Sequence, residues 1–230
     1  METIENRLEK VMHRIDQAAA ACGRNPASIT LVAVSKTVSA QDVQQAIAAG
    51  VTTLGENYVQ EARDKISALE NYPVAWHFIG HLQSNKAKYA VKLFDLIHSV
   101  DSLKLARELN KQAQKNDKIQ RILIQVNISQ EETKSGISVD ETLGLIEEIG
   151  RLGNLSIIGL MTMPPFFNQP ERVRPFFAAL RNLRNQIQKN TIPNVSMDIL
   201  SMGMTGDFEV AIEEGATMVR IGTAIFGERS

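Results

Sequence analysis

The sequence is poor in cysteine, in tryptophan and in excess charge of either sign. Its 230 residues hold one Cys and one Trp, and 25 basic against 26 acidic side chains leave a formal net charge of −1. The lone thiol, Cys22, excludes an internal disulfide. It ends an alanine-rich helical stretch without the motif of a nucleophile, so a packing role in a reducing, cytoplasmic compartment is expected. No block of Lys and Arg marks a nucleic-acid or membrane surface, and no apolar run is long enough to span a bilayer. The charged, amphipathic start METIENRLEKVMHRIDQ lacks the apolar centre of a signal peptide. The sequons at Asn127, Asn154 and Asn194 are then chance matches. A Gly-rich phosphate turn is also missing after the first apolar run, where the chain reads VSKTVSA; this disfavours a doubly wound nucleotide-binding sheet.

What is present is alternation. A first helix, about residues 2–21, repeats Ile4, Leu8, Val11, Ile15 and Ala18 at helical spacing and is stopped by Gly23 and Pro26. Apolar, β-branched runs follow near 29–35, 51–54, 75–79, 94–100, 121–126, 156–162, 197–201 and 217–226. Helical patterns separate them, among them Val43, Ala46 and Ile47 behind Ser39 and Asp42, and Leu143, Ile146 and Ile149 behind a Ser138–Glu141 capping box. Eight strands at about 25 residues per unit predict a compact (β/α)8 TIM barrel over about 29–227, within one domain spanning 1–230. The chain leaves no room for a helix after the eighth run. The N-terminal helix is therefore expected to cover that position.

Barrel enzymes carry their chemistry at the C-terminal strand ends. Those ends read Lys36, Glu56 and Asn57, His81, Ser99 and Asp101, Asn127, Thr162, Ser201, then Arg220, Gly222 and Thr223. Side chains alternate with period two, so Lys36 shares the face of Val32 and Val34, Ser201 that of Ile199, and Arg220 that of Gly222. A lysine, a hydroxyl and a guanidinium are thereby directed to one cavity. The glycines and hydroxyls of SMGMTGD and VRIGTAIFG, notably Gly203, Gly206, Gly222 and Thr223, suit a phosphate beyond the last two strands. A phosphate beside an inward lysine implies a ligand that also bears a carbonyl, which a partly desolvated lysine captures as a Schiff base. His77 and His81 have zinc-like spacing only on a helix. On a strand they stand roughly 13 Å apart, so no metal site is expected. The stretch NISQEETKSG begins at Asn127, and the loop at 129–137 within and just beyond it is a solvated loop or a lid.

The blocks AVSKT, GENYVQEA, WHFIGHLQSNK, VNISQEETKSG, GLMTMPP, SMGMTGDFEVAI and RIGTAIFG, in this order, resemble the pyridoxal phosphate homeostasis proteins. These are single-domain relatives of the alanine racemase barrel. The resemblance implies a fold-type III barrel holding pyridoxal 5′-phosphate (PLP) as an internal aldimine on Lys36. It also implies a phosphate held by Ser201 and by the backbone of Gly222 and Thr223, and Arg220 facing the pyridine nitrogen. Asn57, His81, Met202 and Gly203 would line the site. Thr205 stands where relatives often carry serine, a departure that touches the loop more than the phosphate. An arginine at the ring nitrogen opposes its protonation and weakens the electron sink. The racemase domain that supplies a catalytic tyrosine is expected to be missing. The expected function is intracellular PLP homeostasis and supply by a monomeric, non-catalytic carrier, with apo PLP-dependent enzymes as transient recipients. The alternatives are a low-efficiency racemase or lyase of amino acids and, without PLP, a class I aldolase-like enzyme.

Overall fold

The computed structural model describes residues 2–129, 131 and 135–228. Of the loop read as a possible lid, Gln130, Glu132, Thr133 and Lys134 lie outside the described residues.

Helix α1 (Ile4–Ala21) precedes eight strand–helix units. The first four are β1 (Thr30–Val34) with α2 (Ala40–Ala48), β2 (Thr53–Glu56) with α3 (Val59–Ala68), β3 (Ala75–Phe78) with α4 (Ala87–Leu93), and β4 (Leu96–Val100) with α5 (Leu103–Gln114). The rest are β5 (Gln120–Gln125) with α6 (Val139–Gly150), β6 (Leu155–Met161) with α7 (Arg174–Ile187), β7 (Val195–Ser201) with α8 (Phe208–Glu213), and β8 (Met218–Ile221) with α9 (Thr223–Phe226). All strands are parallel and form a closed barrel in sequence order. Strand β8 pairs with β1 from Thr30↔Met218 to Ala33↔Ile221, which leaves no free edge. The fold is a (β/α)8 barrel.

Two cores follow from the strand period. Val32, Leu96, Leu123, Met161 and Met218 fill the barrel interior, and the alternate residues, such as Ala33, Leu54, Ile97 and Leu200, pack outward against the helices. Helix α1 caps its N-terminus with Thr3, whose hydroxyl accepts from the Asn6 N–H, and buries the expected stripe of Ile4, Leu8, Val11, Ile15 and Ala18. That stripe packs against α8 and α9, so α1 covers the position left open by two short helices. An Arg14–Glu209 ion pair at 2.5 Å and a bond of 2.7 Å from Arg24 to the Ile212 carbonyl fasten it there.

Two of the differences from the sequence reading bear on the site. Strand β2 runs Thr53–Glu56, not 51–54, and its last residue, Glu56, is fully buried with a partner on α3. The apolar run 217–226 is strand only to Ile221. Gly222 breaks it, and Thr223–Phe226 turn into a helix whose Ile225 is buried.

Candidate functional site

The C-terminal ends of the strands surround an open cavity of about 770 Å³. Lys36 enters its wall from the turn after β1, on the same parity as Val34, which lies beside it. Across the β1–β8 seam, Arg220, Gly222 and Thr223 line the same space. Asn57 from the β2 end and the loop Met204–Asp207 after β7 complete the contour used below.

Arg220 is 3% exposed and anchored at the floor. Its Nη1 donates to Ser201 Oγ at 2.6 Å, and its Nη2 donates to the Thr162 carbonyl at 2.9 Å. Burial lowers its pKa to about 10, with the Asp207 carboxylate acting in the opposite direction, so it remains a cation at neutral pH.

Behind Arg220 runs a buried chain of hydrogen bonds. Ser201 Oγ lies 3.0 Å from His98 Nδ1, and His98 Nε2 lies 3.1 Å from His77 Nδ1. Arginine only donates, so Ser201 accepts from it and keeps its own proton and a second lone pair for His98. The His98 tautomer sets which partner donates in each of the two contacts beyond. Neutrality of both rings fits their surroundings. Burial pushes His77 down to about 4, and burial, then His77 and Arg220, push His98 well below the ordinary histidine value.

The family model for the alanine racemase N-terminal domain matches residues 7–230. The chain is 47% identical over 223 residues to the pyridoxal phosphate homeostasis protein of Aquifex aeolicus, covering 97% of each chain. It is 43% identical over 236 residues to that of Escherichia coli K12, covering 100% of this chain and 98% of the relative. The chain belongs to the pyridoxal phosphate homeostasis protein family. PipY of Synechococcus elongatus, solved with PLP bound, superposes with a TM-score of 0.82 at 34% identity, covering 93% of this chain and all of PipY.

Among the residues that family membership brings into question, Lys36, Asn57, Arg220, Gly222 and Thr223 line the cavity together. Ser201 stands one layer deeper, fully buried, and reaches the cavity through Arg220. Met202 and Gly203 are not in the lining. Met202 alternates with Ser201 and packs into the outer core, while a Cβ on Gly203 would lie 2.6 Å from Ala211 Cβ of α8. His81 is exposed beside a smaller adjoining pocket that shares Asn57 and Ile79 with the main cavity. His77, the other half of the zinc-like spacing, points to His98 instead. Thr205 lines the cavity and accepts from the Thr223 hydroxyl at 3.3 Å.

Sequence reading missed His98 and Met204. His98 was detectable, since it shares the parity of the interior residue Leu96 and is therefore a polar side chain aimed into the barrel. Met204 lies in a loop, where no periodicity tells which side chains face inward.

One glycine sets the shape of this mouth. A Cβ on Gly80 would fall 2.3 Å from the Asn57 carbonyl oxygen and 2.7 Å from its Cα. Gly80→Ala is expected to push Asn57 aside and to lower stability by about 1–3 kcal/mol, measurable as a reduced urea midpoint at unchanged m-value.

Proposed function

We propose that this protein holds PLP as an aldimine on Lys36 and serves intracellular PLP homeostasis as a carrier, not as a classical enzyme. The observation that carries the reading is the meeting of Lys36 and Arg220, from neighbouring strands β1 and β8, in one cavity of about 770 Å³. The donor set fits the cofactor's three handles. A primary amine suits the aldehyde. A guanidinium, fixed by Ser201 and Thr162, suits the ring nitrogen. The hydroxyls of Thr205 and Thr223, with Gly206 and Gly222 beside them, suit the phosphate. Ser201 supports the site through Arg220, Met202 and Gly203 pack away from it, and Asn57, with His81 at the adjoining pocket, is available beside the cofactor.

PLP supplies electron-withdrawing chemistry when its nitrogen is protonated. Arg220, permanently charged at the floor, opposes that protonation and makes the site a holder of the aldehyde more than an electron sink. A racemase also needs an acid or base on each face of the substrate carbon. Among the described residues no tyrosine lines the cavity, and Tyr58, at 60% exposure, begins α3. The open mouth suits exchange with apo PLP-dependent enzymes. Among the described residues no helix is long and apolar enough to cross a membrane. The proposed carrier is a cytoplasmic monomer.

The test is the visible spectrum of the purified protein with PLP, followed by borohydride reduction and peptide mass mapping. The expected result is one pyridoxyl group on Lys36 per chain, transfer of unreduced PLP to an apo-enzyme, and no turnover of amino acids. A colourless protein that takes up no PLP sinks the cofactor, whereas steady racemisation or elimination lost in Lys36→Ala sinks the carrier.

A further inference from the structure

Lys36 sits in a turn whose backbone is gripped from outside the barrel. The residue after it, Thr37, has a φ of 62°, a left-handed conformation that a β-branched residue adopts only when its surroundings enforce it. Two charged side chains of α3 supply the enforcement. The Thr37 N–H donates to Glu61 Oε1 at 2.5 Å. Lys65 Nζ donates to the Ser35 carbonyl, to Glu56 Oε1 at 2.8 Å and to Glu61 Oε1 at 2.6 Å. Ser35 Oγ closes the group by donating to Glu56 Oε1 at 2.6 Å. The peptide groups on both sides of Lys36 are thus held by one ion pair, four residues apart on a helix.

A burden on stability is evident in this group. Ser35 and Glu56 are fully buried and the Lys65 side chain is 7% exposed, yet the second oxygen of Glu56 has no hydrogen-bond partner. Buried ion pairs contribute little net stability over apolar replacements. Their contacts here converge on the two peptide groups flanking one side chain.

We infer that Glu61 and Lys65, braced by Glu56, are positioning residues that fix the backbone of residues 35–37 so that the Lys36 amine is presented to an aldehyde in the cavity. The inference rests on the proposed aldimine at Lys36. In that step the Nζ lone pair adds to the aldehyde carbon, and the oxygen departs as water with two protons from the ammonium as C=N forms, releasing one further proton to solvent. Alignment of the amine governs how fast this happens. Docking of the rest of the ligand does not need it.

The experiment uses the full chain with two probes, PLP and 4-deoxypyridoxine 5′-phosphate, which lacks the aldehyde. Glu61 is 26% exposed, so its substitution leaves the buried Glu56–Lys65 pair in place. Glu61→Ala is expected to slow formation of the borohydride-trappable imine about tenfold, with the affinity for the deoxy probe unchanged. Glu61→Gln keeps an acceptor for the Thr37 N–H and is expected to restore most of the rate. Glu61→Asp, which retains the charge beside Lys65 but withdraws the carboxylate, provides a second folded variant and is expected to be slow as well. Wild-type imine rates in Glu61→Ala, or in Glu61→Asp, overturn the inference. So does an equal loss of affinity for the deoxy probe, which would mean that the group shapes the pocket and not the lysine. Absence of any adduct on Lys36 in the unsubstituted protein fails differently, because it removes the aldimine reading itself.

Discussion

Lys36→Ala is expected to abolish the pyridoxyl adduct trapped by borohydride while leaving the barrel folded. Among the described residues Lys36 is the only lysine lining the cavity. It lies beyond the end of β1 and is half-buried, and its truncation removes nothing from either hydrophobic core. Substitutions away from core, caps and buried pairs usually change stability by no more than about 0.5 kcal/mol. Lys36→Arg sharpens the experiment, since it restores a cation at the mouth without a nucleophilic amine. Both variants are expected to bind the deoxy probe, because the contacts proposed for it with Arg220, Gly222 and Thr223 do not involve Lys36. Peptide mapping after reduction decides the matter. An undiminished adduct on another lysine in Lys36→Ala would remove Lys36 from its proposed role.

Acidification provides the second large effect. His77 has a folded-state pKa near 4 against an ordinary value of 6.5, so between these values the unfolded chain binds the proton that the native state refuses. Its contribution to stability is complete above pH 6.5 and is lost as pH falls from there to about 4, on the order of 3 kcal/mol in all. His98, held further down by burial, His77 and Arg220, adds a loss of the same sign that continues to lower pH. The groups acting on His77 besides its partner are Asp95, which favours the proton, and Arg121, which opposes it. Glu56 and Asp207 work the other way, because burial raises both in the folded state and stability from them grows as they take up protons. Urea unfolding at a series of pH values in wild type, His77→Gln and His98→Gln isolates the histidines. Each variant is expected to flatten the acid limb. Curves parallel to wild type would mean that the rings are not neutral in the native state.

How much of this was legible before folding depends on how far each signal reaches along the chain. Strand and helix periods are local, and the regular alternation was enough for the barrel, for the stripe of α1 and for the inward parity of Lys36, Ser201 and Arg220. A glycine before an apolar run, as at Gly222, left the strand–helix boundary ambiguous, because Ile225 and Phe226 suit either element. Glu56, one of the strand-end candidates, gave no local sign of its buried ion pair for a similar reason. Its partners Ser35 and Lys65 lie 21 and 9 residues away and meet only when α3 packs on β2.

Elements, their order and the chemistry available at the strand ends are legible locally, because apolar period and residue type are properties of short segments. Which of those groups meet is a matter of the assembled barrel. Closure of β8 on β1 puts Arg220 and Lys36 around one space, and the barrel's width lets Ser201 reach His98, 103 residues away, across the interior. It also turned Met202 and Gly203 away from the mouth and brought Glu61 beneath Thr37. Such contacts depend on strand register and helix docking, which the whole chain sets at once and no single segment encodes.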